Sequence, residues 1–435
     1  MRELNRIDRN KISPNALKVI QRLEQEGYAA YLVGGGVRDL LLGESPKDFD
    51  VSTDARPEQI RQLFRNARII GRRFRIVHVL FGREVIEVTT FRGHHPDTPS
   101  GDSSRQAATS EAGRLLRDNV YGSIEEDALR RDFTINALYY SPSSDSILDY
   151  CNGLDDLRAQ RLVLIGDPET RYREDPVRML RAVRFQARLD FHLSVAVTGP
   201  IRELGPLLHD IPPARMFDEV LKLFMSGAAL QTYQALRTYH LFGYLFPACE
   251  RSLHHGDAIS IAFVESMLRN TDARINQNKP VNPAFLYGAF LWPAARQHQQ
   301  ALQKQGLPPI PALQQAGTSA IEHQLQYIAI PRRFSSIMRE IWDLQYRLEN
   351  PRGGKLVDQL LSQQRFRAAY DFLVLREEAG EDTAGMGQWW TRYQDAPEPE
   401  RQELLLKLEK QGTPRKRKPR NRRRPLKNPL SDQVP

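Results

Sequence analysis

Cysteine is nearly missing from this chain, and so is any stretch that could cross a membrane. Only Cys151 and Cys249 occur among its 435 residues, too few for a disulfide framework or a zinc site of their own. A reducing, cytoplasmic setting is therefore expected. No apolar run approaches the roughly 18 residues that span a bilayer. Met1 to Lys11 is polar and charged, without the apolar centre of a secretion signal. No segment repeats at a fixed period, which sets aside solenoids and propellers. Two phosphate-binding signatures are missing as well. There is no G-x-x-x-x-G-K-[ST], and in Gly34-Gly35-Gly36-Val37-Arg38-Asp39 an aspartate stands where a dinucleotide fingerprint needs Gly or Ala. Acid is scarce in one region: beyond Gln411 only Asp432 remains.

That last scarcity explains the charge. The final 25 residues hold nine bases, Arg415, Lys416, Arg417, Lys418, Arg420, Arg422, Arg423, Arg424 and Lys427, against one acid, so they account for +8 of the chain's net +9. The rest is close to neutral. Such a block repels itself, resists folding and draws polyanions by releasing their counterions, so a disordered, RNA-binding tail is expected. A hydrophobic content of 40% at this length supports two to four structural units.

The pattern changes along the chain. Ser13-Pro14 opens a helix on which Leu17, Ile20 and Leu23 share a face, and Gly27 ends it. Tyr28 to Val33 reads as a buried strand, the glycine turn follows, and Val37 to Leu42 starts a helix. Phe49-Asp50-Val51 is a further strand, and Ile76 to Phe81 and Val85 to Thr90 form a hairpin about Gly82-Arg83. Gly93 to Gly113 is polar and small, a loop or insertion. After about residue 155 the periodicity is helical, clearest at Pro176 to Arg188, Met216 to Met225, Leu230 to Leu241 and Gln364 to Glu378.

Five elements carry chemistry. Glycines between a strand and a helix let backbone N–H groups approach a phosphate, and Arg38 adds charge one turn on. In Pro46-Lys47-Asp48-Phe49-Asp50, residues two apart share a strand face, so Asp48 and Asp50 point together while Phe49 and Val51 face the core. Carboxylates that close call for a cation between them. Glu87 interrupts an apolar strand and could join them as a third ligand. Arg131 and Asp132 sit where a helix begins to bury itself. Asp175 caps a helix begun by Pro176, and Asp175 and Arg178, at i and i+3, offer an acceptor and a fork of donors suited to a nucleobase edge. Each alone has an ordinary structural explanation: a tight turn, a solvated strand end, a surface glutamate, a capped helix. Their ordered recurrence does not.

In that order and spacing the elements resemble the class II nucleotidyltransferases, which comprise bacterial poly(A) polymerases and CCA-adding enzymes. The glycine turn, Gly71-Arg72-Arg73-Phe74-Arg75, Leu116-Arg117-Asp118-Asn119, Asp210-Ile211-Pro212-Pro213-Ala214-Arg215 and Phe366-Arg367-Ala368-Ala369-Tyr370-Asp371-Phe372 look like the poly(A) polymerase branch. The resemblance implies an α/β nucleotidyltransferase head with a mixed sheet, followed by an all-α neck, body and tail. On that plan the head spans 12–158, the neck 159–250, the RNA-binding body 251–400, and the late helix with its basic tail 401–435. It implies that Asp48 and Asp50 bind two Mg²⁺, with Mn²⁺ as a substitute, and that Glu87 or Asp132 is the third catalytic carboxylate. Gly35, Gly36, Arg38 and Arg181 would meet the triphosphate of ATP, Arg131 and Asp132 the nucleotide and ribose, and Asp175 and Arg178 the base. The expected partners are RNA 3′ ends, ATP, and RNA-decay or RNA-chaperone proteins, with no membrane. A CCA-adding enzyme is the near alternative, and a non-catalytic RNA-binding protein on the same fold the distant one.

Overall fold

The computed structural model describes residues 4–71, 75–93, 107–109, 115–118, 120–254, 257–351 and 354–411. The first helix, α1 (Pro14–Gln25), starts where Ser13 Oγ accepts from the N–H groups of Asn15 and Ala16. It buries Ala16, Val19, Ile20 and Leu23, the i, i+3, i+4, i+7 stripe of a helix lying on a core. Leu17 sits at the edge of that stripe.

The strands up to residue 150 are β1 (Ala30–Val33), β2 (Asp50–Thr53), β3 (Ala67–Ile70), β4 (Ile76–Phe81), β5 (Glu84–Thr90), β6 (Ala107–Thr109), β7 (Leu115–Asp118), β8 (Leu138–Ser141) and β9 (Ser146–Asp149). Seven of them make one sheet in the order β3-β4-β5-β2-β1-β8-β9. Every pairing in it is antiparallel except β2 with β5, so the sheet is mixed, as the resemblance implies. Val51, Val77, Val79, Ile86 and Val88 are buried in the main core, while Val33, Phe91 and Tyr139 build a smaller cluster. β6 and β7 pair as a separate ribbon. The stretch from Gly93 to Gly113, read as a loop or insertion, thus holds one short strand, β6, whose partner β7 local composition does not reveal.

Helices follow the sheet: α2 (Gly35–Leu41), α3 (Pro57–Leu63) and α4 (Ile124–Leu129) are threaded between strands, then come α5 (Gly153–Arg158), α6 (Pro168–Glu174) and α7 (Val177–Leu189). From there the chain is almost wholly helical to Glu398–Gln411. Phe185 of α7 meets Phe133 edge-on at 5.5 Å between centroids, which fastens the first helical layer to the sheet domain. Trp342 and Trp390 are among the largest fully buried side chains of the helical part. Among the described residues no helix is long and apolar enough to cross a membrane.

Candidate active site

β1 enters α2 through Gly34, whose φ of +77° is open to glycine and strained for other residues. Gly36 lies against the start of β2. A Cβ there would stand 3.4 Å from the Asp48 carbonyl oxygen and 3.7 Å from the Phe49 ring. The close approach sets the start of β2 beside the glycine turn. Phe49 and Val51 are buried, Asp50 is half-buried and Asp48 exposed, so both acids turn away from the core although the strand itself begins only at Asp50. On the parallel neighbour, Glu87 is the register partner of Asp50. Burial, then the charges of Glu87 and Asp48, push the Asp50 carboxyl up to about 6, with Arg131 opposing them. One strand further, His78 Nε2 lies 3.3 Å from Glu87 Oε1.

The acids open on a cavity of about 1030 Å³ whose wall includes Gly34–Gly36, Asp48, Asp50, Arg131 and Asp132, and on the α7 side Arg181, Arg184 and Arg188. Arg38 lines it too, but is nearly fully buried. Its Nε and Nη2 donate to Asp39 Oδ1 at 2.8 and 2.6 Å, and its Nη1 to Asn136 Oδ1 at 2.6 Å. Most of its donors therefore brace the turn. Asp132 accepts from Arg181 Nε at 2.5 Å, from the Phe133 N–H at 2.8 Å and from Asn136 Nδ2 at 3.2 Å. Burial disfavours its charge, yet the Arg181 guanidinium and these donors hold it well below the usual carboxylate range. A network thus runs from α2 through Asn136 and Asp132 to α7.

Glu87 and Asp132 hold different places. Glu87 adjoins Asp50 in the sheet, whereas Asp132 faces the cavity with its carboxylate bound to Arg181. Arg131 and Asp132 follow the end of α4 rather than opening a helix. The chain turns there into the 3₁₀ segment Thr134–Asn136. Asp175 and Arg178 do not pair. α7 begins at Val177 with Pro176 before it, and Asp175, extended at φ −148°, stands where a cap stands: its Oδ1 accepts the Val177 N–H at 3.4 Å. Asp175 Oδ2 instead accepts from Arg215 Nη2 at 2.7 Å, while Arg178 Nη1 donates to Glu174 Oε2 at 2.8 Å and to the Arg171 carbonyl at 2.9 Å. Neither is part of the cavity wall. The nine tail bases from Arg415 to Lys427 lie outside the described residues.

Sequence reasoning passed over Arg184 and Asn136. Arg184 donates to no protein acceptor among the described residues, and burial together with Arg181 pushes it down to about 10. A half-buried guanidinium that rests on the Phe185 ring, 5.0 Å from its centroid, and donates to no described acceptor suits an anion brought from outside. The signal was present: Arg181, Arg184 and Arg188 recur at i, i+3 and i+7, one face of α7. Among the described residues no group of three or more acids, histidines or cysteines is gathered closely enough to hold a metal alone. A Mg²⁺ held by one or two carboxylates and completed by substrate phosphates needs no such cage.

Three family models match the chain. "Poly A polymerase head domain" covers residues 30–163, "Probable RNA and SrmB- binding site of polymerase A" 190–253, and "Polymerase A arginine-rich C-terminus" 305–424. Poly(A) polymerase I of Salmonella typhimurium is 49% identical over 427 residues, covering 97% of this chain and 91% of the relative. The chain belongs to the poly(A) polymerase I family. The relative of that name from Haemophilus influenzae is 46% identical over 95% of the chain and 91% of its own length. A CCA-adding enzyme of Lactobacillus helveticus matches at 38% identity over 50% of the chain and 52% of its own. Among solved structures, the Bacillus stearothermophilus CCA-adding enzyme in complex with CTP is similar with a TM-score of 0.56 at 27% identity, covering 88% of this chain and 82% of that one. The fold is that of the nucleotidyltransferases, and family membership makes the chain an enzyme of the polynucleotide adenylyltransferase class.

Proposed function

We propose that this enzyme adds AMP from ATP to RNA 3′ ends without a template, releasing pyrophosphate. The observation that carries the reading is the cavity itself, with clustered carboxylates at one side and an arc of arginines at the other. Asp48 and Asp50 would hold two Mg²⁺, for which Mn²⁺ could substitute. Bound there, such ions would lower the pKa of the attacking hydroxyl and offset charge on the phosphates. The raised Asp50 carboxyl supports this fit, since crowded acids gain most from a cation.

Around that centre the chain's own residues bind and orient. The N–H groups at Gly35 and Gly36, with Arg38 bracing the turn, would cradle phosphate oxygens. Arg181 and Arg184 would offset triphosphate charge, and Arg131 with Asp132 would fix the nucleotide. Glu87 supports the metal side through Asp50, whereas Asp132 orients Arg181 and Asn136. For adenine, Arg178 could donate from Nε and Nη2 while its Nη1 stays with Glu174, whereas Asp175 would have to share its carboxylate with Arg215. The basic tail would add affinity for RNA without sequence choice. The products point to a role in RNA polyadenylation and turnover, with RNA-decay or RNA-chaperone proteins as partners.

The test is extension of a generic single-stranded RNA with Mg²⁺ and ATP or CTP given separately. Long heterogeneous tails with ATP alone are expected. Extension needing CTP, confined to tRNA ends and stopping after a few additions, would transfer the assignment to the CCA-adding branch. Asp48→Ala and Asp50→Ala are expected to nearly abolish turnover, and unchanged activity in either would remove the metal assignment.

A further inference from the structure

Arg131 stands on the cavity wall with only part of its guanidinium in use. Its Nε donates to Tyr139 Oη at 3.1 Å and its Nη2 to Asp127 Oδ2 at 3.1 Å. The guanidinium also lies over the Tyr139 ring, 5.3 Å from the centroid. No protein acceptor takes the Nη1 hydrogens among the described residues. Nη1 instead lies 3.6 Å from where a Cβ on Gly34 would be. One edge of the fork is tied inward, and the other is presented over the glycine turn.

What ties it is well fixed. Asp127 is 7% exposed and Tyr139 fully buried. Tyr139 Oη donates to Asp127 Oδ2 at 2.7 Å, closing a triangle with Arg131. The other oxygen, Asp127 Oδ1, accepts the backbone N–H of Arg92 at 3.1 Å, which anchors the carboxylate to the chain just beyond β5. The triangle therefore joins α4, β8 and the segment after β5, and each corner is held by the other two. A guanidinium is planar, so fixing its Nε and Nη2 edge also fixes the plane and direction of Nη1. Arg131 is close enough to Asp50 to oppose its protonation, so the same group spans both sides of the site.

We propose that Asp127 and Tyr139 are positioning residues that aim the Nη1 edge of Arg131 into the cavity to donate to the bound nucleoside triphosphate. The proposal rests on the nucleotidyltransferase reading above. It assigns a function to Asp127, which otherwise belongs to an ordinary acidic first turn of α4.

The test is a double-mutant cycle in the full-length enzyme. KM for ATP, KM for RNA and kcat are measured for the parent, Asp127→Asn, Tyr139→Phe, Arg131→Ala and the two combinations with Arg131→Ala. ATP binding without RNA is followed by calorimetry in the same set. Asp127→Asn is expected to raise KM and Kd for ATP about tenfold, the scale of one charge-assisted hydrogen bond. Tyr139→Phe should raise them about threefold. KM for RNA should stay within about twofold of the parent, because no contact to RNA is being removed. On the Arg131→Ala background neither substitution should cost anything further. An equal loss on both backgrounds, or no loss on either, overturns the proposal and leaves Asp127 a scaffold residue. If Asp127→Asn fails to fold, the Tyr139→Phe arm carries the cycle alone. A parent that neither extends RNA nor binds ATP would defeat the nucleotidyltransferase reading, and this inference with it. An active parent with an additive cycle defeats only the inference.

Discussion

At neutral pH Asp50 is a carboxylate in a place that disfavours one. Burial, Glu87 and Asp48 raise it to about 6, above the roughly 3.9 of an unfolded aspartate. The folded state therefore binds this proton more tightly. The group's contribution favours folding fully below about pH 4 and is lost as pH rises through 6. In metal-free buffer Asp50→Asn should thus melt higher than the parent at pH 7.5, with the gap closing near pH 4.5. A gap of equal size at both values would mean that Asp50 ionises like a free side chain. Arg184 is the complementary case, a cation without a protein acceptor. Arg184→Ala should raise KM for ATP about tenfold, by loss of one charge-assisted contact, while leaving the melting temperature nearly unchanged. A fall in stability without a change in KM would return Arg184 to a structural role.

Elements decide which of these residues can meet. The strand–turn–helix unit from Ala30 to Leu41 was legible, because glycines bounded by an apolar run and a helical run have few other uses. Gly34 has φ +77° and ψ −139°, a region that costs other residues about 1–3 kcal/mol. Gly34→Ala should lower the urea midpoint accordingly and impair ATP binding through Arg131. Loss of stability with unchanged ATP binding would mean that Arg131 does not use that space. The Ile76–Phe81 and Glu84–Thr90 hairpin was equally plain. Less plain was the register that sets Glu87 beside Asp50, because the intervening α3 and β3 hide which strand lies next to β2. The helix start at Asp175 was legible, but its charged partner was not. A proline after an acid read as a cap, and Asp175 Oδ1 does accept the Val177 N–H at the junction of α6 and α7, while Oδ2 pairs with Arg215 from a distant helix.

Across the whole chain, net charge is unevenly placed. The body is almost neutral and the last 25 residues carry +8, so long-range attraction for RNA should reside mostly in the tail. Deleting 413–435 should flatten the dependence of RNA affinity on salt, each lost phosphate contact removing about 0.7 from the log–log slope for single strands. An unchanged slope would make the tail a solubilising segment. The ordered motifs, the α/β-then-helical plan and the basic end were set by local composition, periodicity and spacing, which are properties of neighbours along the chain. Contacts between residues far apart in sequence decided the rest. Tertiary packing brought Glu87 to Asp50, bound Asp132 to Arg181, turned Arg184 toward the cavity and braced Arg131 with Asp127 and Tyr139. A side chain's partners and direction depend on which elements pack together, and spacing along one strand or helix cannot specify that.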